Sequence, residues 1–254
     1  MQRVKLHLAY DGTDYSGWQI QKNTDATIQQ KLEEVIGKYD SSLKRVHGAC
    51  RTDAGVHARE QVAHFDMSED IPEERIPLAL NGDLPRDIIC RGAEMVSDEF
   101  HSRFDARGKI YRYRLATGDY PRIFSHRYTH FMKDCLQVSA MKRAVKYLIG
   151  KKDFSSFRAR GCSSTSPVRK IFDARVERRE QKEVHIDIAG SGFLYNMVRI
   201  IAGTLIEIGR ERMSPGEMEN IINARDRSRA GFTAPACGLT LVRVFYEEEF
   251  CETL

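Results

Sequence analysis

Between Arg3 and Tyr10 the apolar residues Val4, Leu6 and Leu8 alternate with polar neighbours, the two-residue period of a half-buried strand, and Asp11-Gly12 ends it in a turn. The period then changes. Ile28, Leu32, Val35, Ile36 and Tyr39 fall on one face of a helix, and Thr27 with Gln30 offers a capping box at its start. Two extended segments are expected to flank a loop at 49–57, with Gln61 to Phe65 as the strand that leaves it. Residues 72–82 predict a short helix interrupted by Pro77, and Asp87–Val96 and Lys109–Thr117 predict strands. In the second half, Asp134 with Gln137 is placed to cap a helix carrying Val138, Met141, Val145 and Leu148, closed by Gly150. Phe172, Ala174 and Val176 alternate on one arm of a hairpin and Val184, Ile186 and Ile188 on the other, joined through 180–182. Phe193 to Ile208 reads as an apolar helix ending at Gly209. Ser214-Pro-Gly-Glu217 reads as a capping box with proline at the first helical position, and Leu239 to Tyr246 as a closing strand.

Strands and crossing helices alternate in both halves. The expected fold class is α+β: two α/β modules with mixed, mainly antiparallel sheets joined side by side, helices on the outer face. The boundary is expected near 98–106, where charge rises and periodicity is lost, giving domains of 1–104 and 105–254. The length of 254 residues suits one elongated domain or two fused halves, and 41% hydrophobic with 30% charged residues is ordinary for a globular chain. No apolar run reaches the roughly 18 residues of a membrane span, and the N-terminus lacks a signal-peptide core, so a cytoplasmic location and no membrane partner are expected. The cysteines Cys50, Cys90, Cys135, Cys162, Cys237 and Cys251 are scattered without a CxxC pair, and free thiols are expected.

A net charge of +4 does not indicate nucleic acid, but its distribution changes the picture. Arg103, Arg107, Lys109, Arg112, Arg114, Arg122 and Arg127 fall in one stretch, interleaved with aromatic residues and opposed only by Asp105 and Asp119. Arg158, Arg160, Arg169 and Lys170 form a second run, and Arg225, Arg227 and Arg229 a third. Such runs suit phosphate binding or form solvated strand faces. His57, His64 and His101 lack metal-ligand spacing, so no metal is expected, and neither a deaminase zinc pattern nor a Gly-rich phosphate loop occurs.

The stretch from Gly48 to Ala58 is a loop of small residues around Asp53. Small neighbours let a planar ligand approach the backbone closely, and a carboxylate there can act as nucleophile or base. A loop aspartate taken alone is more often a cap on a backbone amide. Arg51-Thr-Asp-Ala-Gly-Val-His57 resembles the signature of the TruA family of tRNA pseudouridine synthases. Further blocks match in order: Tyr10-Asp-Gly-Thr-Asp-Tyr-Ser-Gly-Trp-Gln19, Thr27-Ile-Gln29 with Leu32-Glu33, Lys109-Ile-Tyr-Arg-Tyr113, Asp153-Phe-Ser-Ser-Phe157, Phe193-Leu-Tyr-Asn-Met-Val-Arg199 and Thr233-Ala-Pro-Ala-Cys-Gly-Leu239. The resemblance runs from Tyr10 to about Tyr246. Cys50 departs from it, standing where members often carry Gly or Ser; a Cys50 thiol nucleophile is the competing idea, weighed against the usual inertness of a buried Cys.

The resemblance implies a pseudouridine synthase fold and an isomerase that needs no cofactor. Uridine is detached at N1, turned, and rejoined to the same C1′ through C5. The substrate implied is tRNA, in the anticodon stem-loop around roughly positions 38 to 40, and the implied assembly is a homodimer. Asp53 matches the catalytic aspartate. Attack on C1′, addition to the base and removal of a ribose proton stay open as its first act, and all need it ionised, as an ordinary aspartate of pKa ~3.9 is at neutral pH. Arg199, on an apolar helix where a charge needs a partner, is expected to pair with Asp53. Tyr111 is expected to stack on the flipped uracil with Tyr113 in support, Leu239 to floor the pocket, and Arg51 to extrude the base or fill its place. The alternative is a non-catalytic α+β tRNA-binding protein or RNA chaperone.

Overall fold

Val4, Leu6, Leu8 and Tyr10 all turn inward from β1 (Gln2–Tyr10), as their alternation requires. The structure is a computed structural model describing residues 1–162 and 164–247, which fall into two units: Met1–Arg107 with Leu241–Tyr246, and Gly108–Thr240 with Glu247. Cys251 lies outside the described residues. Each unit combines helices with a mainly antiparallel sheet, the α+β class expected.

In the first unit β1 is central. It pairs antiparallel with β3 (His57–Met67), in register Val4↔Phe65 and Leu6↔Ala63, and on its other edge with β4 (Ile88–Val96). On the edge of β3 away from β1 lie the two-residue β2 (His47–Gly48) and residues 241–245 of β10 (Leu239–Phe245). The outward residues of β1 pair across strands: Arg3 with Asp66 at 2.7 Å and Lys5 with Glu94 at 3.1 Å. Helix α1 (Ile28–Tyr39) buries Ile28, Leu32, Val35 and Ile36. Thr27 caps it by accepting from the Gln30 amide at 3.3 Å, but the Gln30 side chain donates forward to Glu34. Only half of the capping box therefore forms. Pro77 does not interrupt the next helix: α2 (Ile76–Asp83) starts one residue earlier, and proline is tolerated in a first turn, where its missing N–H has no partner to lose.

The second unit is built on β5 (Gly108–Thr117), β9 (Glu183–Gly190), β8 (Val168–Arg179) and β7 (Gly150–Asp153), antiparallel in that order, with the short β6 (His130–Met132) parallel to β5. Its helices are α3 (Val138–Val145), α4 (Met197–Gly209) and α5 (Glu217–Ala224). Three expected helix starts move. Asp134 does not cap α3, because it is held by Arg210. Helix α4 begins at Met197 rather than Phe193, since Asn196 takes a left-handed conformation with φ 59°, which asparagine tolerates and a helix does not. At 214–217 only the returning half of the box is made, Glu217 accepting from the Ser214 amide at 2.6 Å, and Pro215 precedes the helix.

Candidate active site

Asp53 sits half-buried in the loop that leads into β3, and several independent contacts fix that loop. Gly17 crosses it at φ +98°, so close that a Cβ there would lie 2.7 Å from the Thr52 carbonyl oxygen and 3.0 Å from the Asp53 carbonyl carbon. The Trp18 amide donates to that Thr52 oxygen at 3.0 Å, and the Gly55 amide to Tyr15 O at 3.2 Å. The Val56 amide donates to Asp53 O at 3.1 Å, closing a turn on the aspartate itself. Beneath, Thr52 Oγ1 and the Tyr10 hydroxyl meet at 2.8 Å in the buried interior. The Gln61 amide grips Cys50 from both sides: Cys50 N donates to its oxygen at 3.0 Å and its nitrogen donates to Cys50 O at 2.8 Å. His57 Nδ1 accepts from the Gly12 amide at 3.1 Å and lies 3.1 Å from Asp11 Oδ1. The carboxylate-bearing residue is thus on a short turn held by several backbone and side-chain bonds. Cys50, the alternative nucleophile, is buried at 4% exposure.

Arg51 is exposed on the same loop. Burial of its head, and the nearby Arg103 and Arg45, make its proton easier to lose than that of a free arginine. These three guanidinium groups border an open cleft of about 380 Å³, floored by Trp18 and rimmed by His47, His101 and Phe104.

Arg199, Tyr111 and Leu239 lie in the second unit, and here the structure brings Arg199 to the segment that carries Leu239. Arg199 Nε donates to Ala234 O at 2.8 Å, and the Ala234 amide returns a bond to Arg199 O at 3.1 Å. Its Nη1 donates to Asn196 Oδ1 at 2.9 Å, so the left-handed residue that starts α4 also orients the guanidinium. One residue on, Pro235 O accepts from the Tyr113 hydroxyl at 2.9 Å. The segment lies directly on α4: a Cβ on Gly203 would fall 1.9 Å from Phe232 O. Tyr111 stands edge-on to Phe193, ring centres 5.2 Å apart, and is 9% exposed; Leu239 is 5% exposed. Asp53 and Arg51 belong to one unit and Tyr111, Arg199 and Leu239 to the other.

The basic runs divide by partner. Arg112 and Arg114 on β5 already hold carboxylates: Arg112 binds Asp187 at 2.6 Å directly across the β5–β9 register, and Arg114 binds Glu183 at 3.0 Å. Arg158 donates to the carbonyls of Cys162 and Ser164, and Arg227 to those of Ala230 and Gly231, each tying its own loop. Sequence reasoning missed Gly17, Gln61 and Asn196. The Gly17 signal was present as a glycine between Ser16 and Trp18, whereas nothing local marks Gln61 as a clamp.

A family model described as tRNA pseudouridine synthase matches residues 7–105 and 144–247. The chain belongs to the tRNA pseudouridine synthase family. It is 46% identical over 246 residues to tRNA pseudouridine synthase A of Acetivibrio thermocellus, covering 97% of this chain and 100% of the relative. The proteins of the same name from Clostridium kluyveri and Brevibacillus brevis are each 43% identical, again over 97% of this chain and 100% of theirs. Asp53, Arg51, Arg199 and Leu239 fall inside the spans matched to the family, and Tyr111 between them. No helix among the described residues is long and apolar enough to cross a membrane.

Proposed function

We propose that this member of the family isomerises uridine to pseudouridine in tRNA, with Asp53 as the catalytic carboxylate. The observation that carries the reading is the position of Asp53, half-buried on a turn pinned by the Gly17 backbone and by the Tyr10–Thr52 and Gln61–Cys50 contacts, within a full-length likeness to synthases of that name. Binding alone does not require so fixed a carboxylate; a reaction does, because misplacement of the attacking group by an ångström is costly.

The N1–C1′ bond breaks and a C5–C1′ bond forms. C5 loses its proton and N1 gains one, so no atom is gained overall and the chemistry calls for no redox group. In this reading Arg199 binds the substrate, Tyr111 stacks on the uracil, Leu239 offers an apolar floor and Arg51 extrudes the base or fills its place. Asn196 and Ala234, which fix the Arg199 head, then act as positioning residues. The uridines are those of the anticodon stem-loop, around roughly positions 38 to 40, and the working form is a cytoplasmic homodimer. The test is tRNA affinity and product formation measured side by side. Asp53→Ala should abolish product and leave affinity within about threefold, whereas a wild-type chain that binds tRNA and leaves its uridines unchanged would establish the non-catalytic alternative.

A further inference from the structure

Arg45, Arg51 and Arg103 converge on the cleft of the first unit, and among the described residues none of the three has a carboxylate partner. The nearby acids are already engaged. Asp66 is held by Arg3, Asp105 accepts from the His101 amide at 2.7 Å, and Glu33 accepts from the Val46 amide and from Gln29. Three uncompensated guanidinium groups repel one another unless an anion joins them. The rim supplies flat surfaces as well. His47 stacks on His64 with ring centres 5.0 Å apart, His101 meets His64 at 4.7 Å, and Phe104 lies on His101 at 4.3 Å. Phe104 is nevertheless 76% exposed, with the Arg103 guanidinium 5.9 Å from its ring centre. The floor is rigid: Trp18 is 1% exposed and Gly48 is pressed so closely against its indole that a Cβ would meet it at 2.4 Å.

We infer that this cleft is an RNA-gripping subsite, taking one backbone phosphate between Arg45, Arg51 and Arg103 and an adjoining base on Phe104. Guanidinium forks match phosphate oxygens, and an exposed ring beside them accepts any base face, a combination that fits a nucleotide and not a free anion. The volume of about 380 Å³ holds one nucleotide unit. The inference rests on the reading of RNA as the substrate and adds to it a place where the strand is held beside the Asp53 loop.

The test uses the full chain and an unmodified tRNA transcript, with binding followed between about 50 and 200 mM salt. The Asp53→Asn background keeps turnover out of the measurement. Arg45→Ala with Arg103→Ala should weaken binding about tenfold and flatten the plot of log affinity against log salt by about 0.7–0.9 for each phosphate no longer neutralised. Replacing both by lysine should restore the slope. Phe104→Ala should weaken binding about fivefold or more at unchanged slope. All three sites are exposed, and equal melting temperatures verify that the variants fold. An unchanged slope in the alanine variant overturns the inference. So does a cleft in which inorganic phosphate shifts the His47 and His101 NMR signals while the variants bind RNA like wild type, since it would then hold a free anion. Product formation by wild type is scored separately: product with an unchanged slope sinks the subsite alone, and a flattened slope without product sinks the enzyme reading alone.

Discussion

Gly17→Ala should cripple turnover without altering any proposed catalytic side chain. The new Cβ would stand 2.7 Å from Thr52 O, 3.0 Å from the Asp53 carbonyl carbon and 3.1 Å from Ala54 N, all backbone atoms that cannot rotate away. Ordinary contact begins near 3.4 Å, so the loop has to give by about 0.7 Å, the difference between 3.4 and 2.7. The positive φ adds about 1–3 kcal/mol of strain, and overpacking about 1–3 kcal/mol more. Stability should therefore fall by roughly 2–6 kcal/mol. Since an ångström of misplacement costs on the order of 10²-fold, kcat should fall about 10- to 100-fold at saturating tRNA with KM within about threefold. Urea titration and single-turnover assays below the melting temperature separate the two effects. Gly37→Ala is the control: nothing lies within 4 Å of its Cβ, and alanine in the interior of α1 should stabilise by about 0.5–1 kcal/mol with kcat unchanged. Full kcat in Gly17→Ala would refute the claim that a fixed Asp53 turn is needed.

Burial, reinforced by His101 and His47, holds the His64 imidazole down at about 4. The unfolded chain takes that proton near 6.5, so the stabilisation is complete above 6.5 and is lost as pH falls toward 4. Wild type should lose roughly 2–3 kcal/mol from this group between about pH 7 and pH 4.5 in urea titrations, a component that His64→Phe should lack. Asp40 accepts from the amides and hydroxyls of Ser42 and Ser68 at 2.6–2.9 Å, so Asp40→Ala should cost about 3–5 kcal/mol in the same titration. Tyr113→Phe removes the bond to Pro235 O and should cost about 1–2 kcal/mol, with faster amide exchange across 233–239.

Where local pattern decides, the fold was legible. The alternation of Val4, Leu6 and Leu8 and the two arms that become β8 and β9 gave strands, and the Ile28–Ile36 stripe gave α1. What failed locally was a matter of one residue's conformation. Phe193 and Leu194 continue the apolar period of α4, but the left-handed Asn196 cuts them from it, and Pro77 is harmless because α2 begins beside it. The fate of the basic runs was not legible, because the partners of Arg112 and Arg114 come from β9, about seventy residues away, through a register no local spacing encodes. The motif around Asp53 pointed to the reaction. The Gln61 and Gly17 contacts that hold it, and the cleft shared by Arg45 and Arg103, exist only once β3, α1 and the turn after β4 are assembled.

The central claim is that a single carboxylate on a fixed turn rearranges uridine in tRNA. Pseudouridine mapping of an unmodified tRNA transcript, incubated with wild type and with Asp53→Asn, tests it most directly. The account predicts pseudouridine in the anticodon stem-loop with wild type and none with Asp53→Asn, which should still bind the transcript. Pseudouridine formed at the wild-type rate by Asp53→Asn, or a wild-type protein that binds the transcript and leaves every uridine intact, would contradict it.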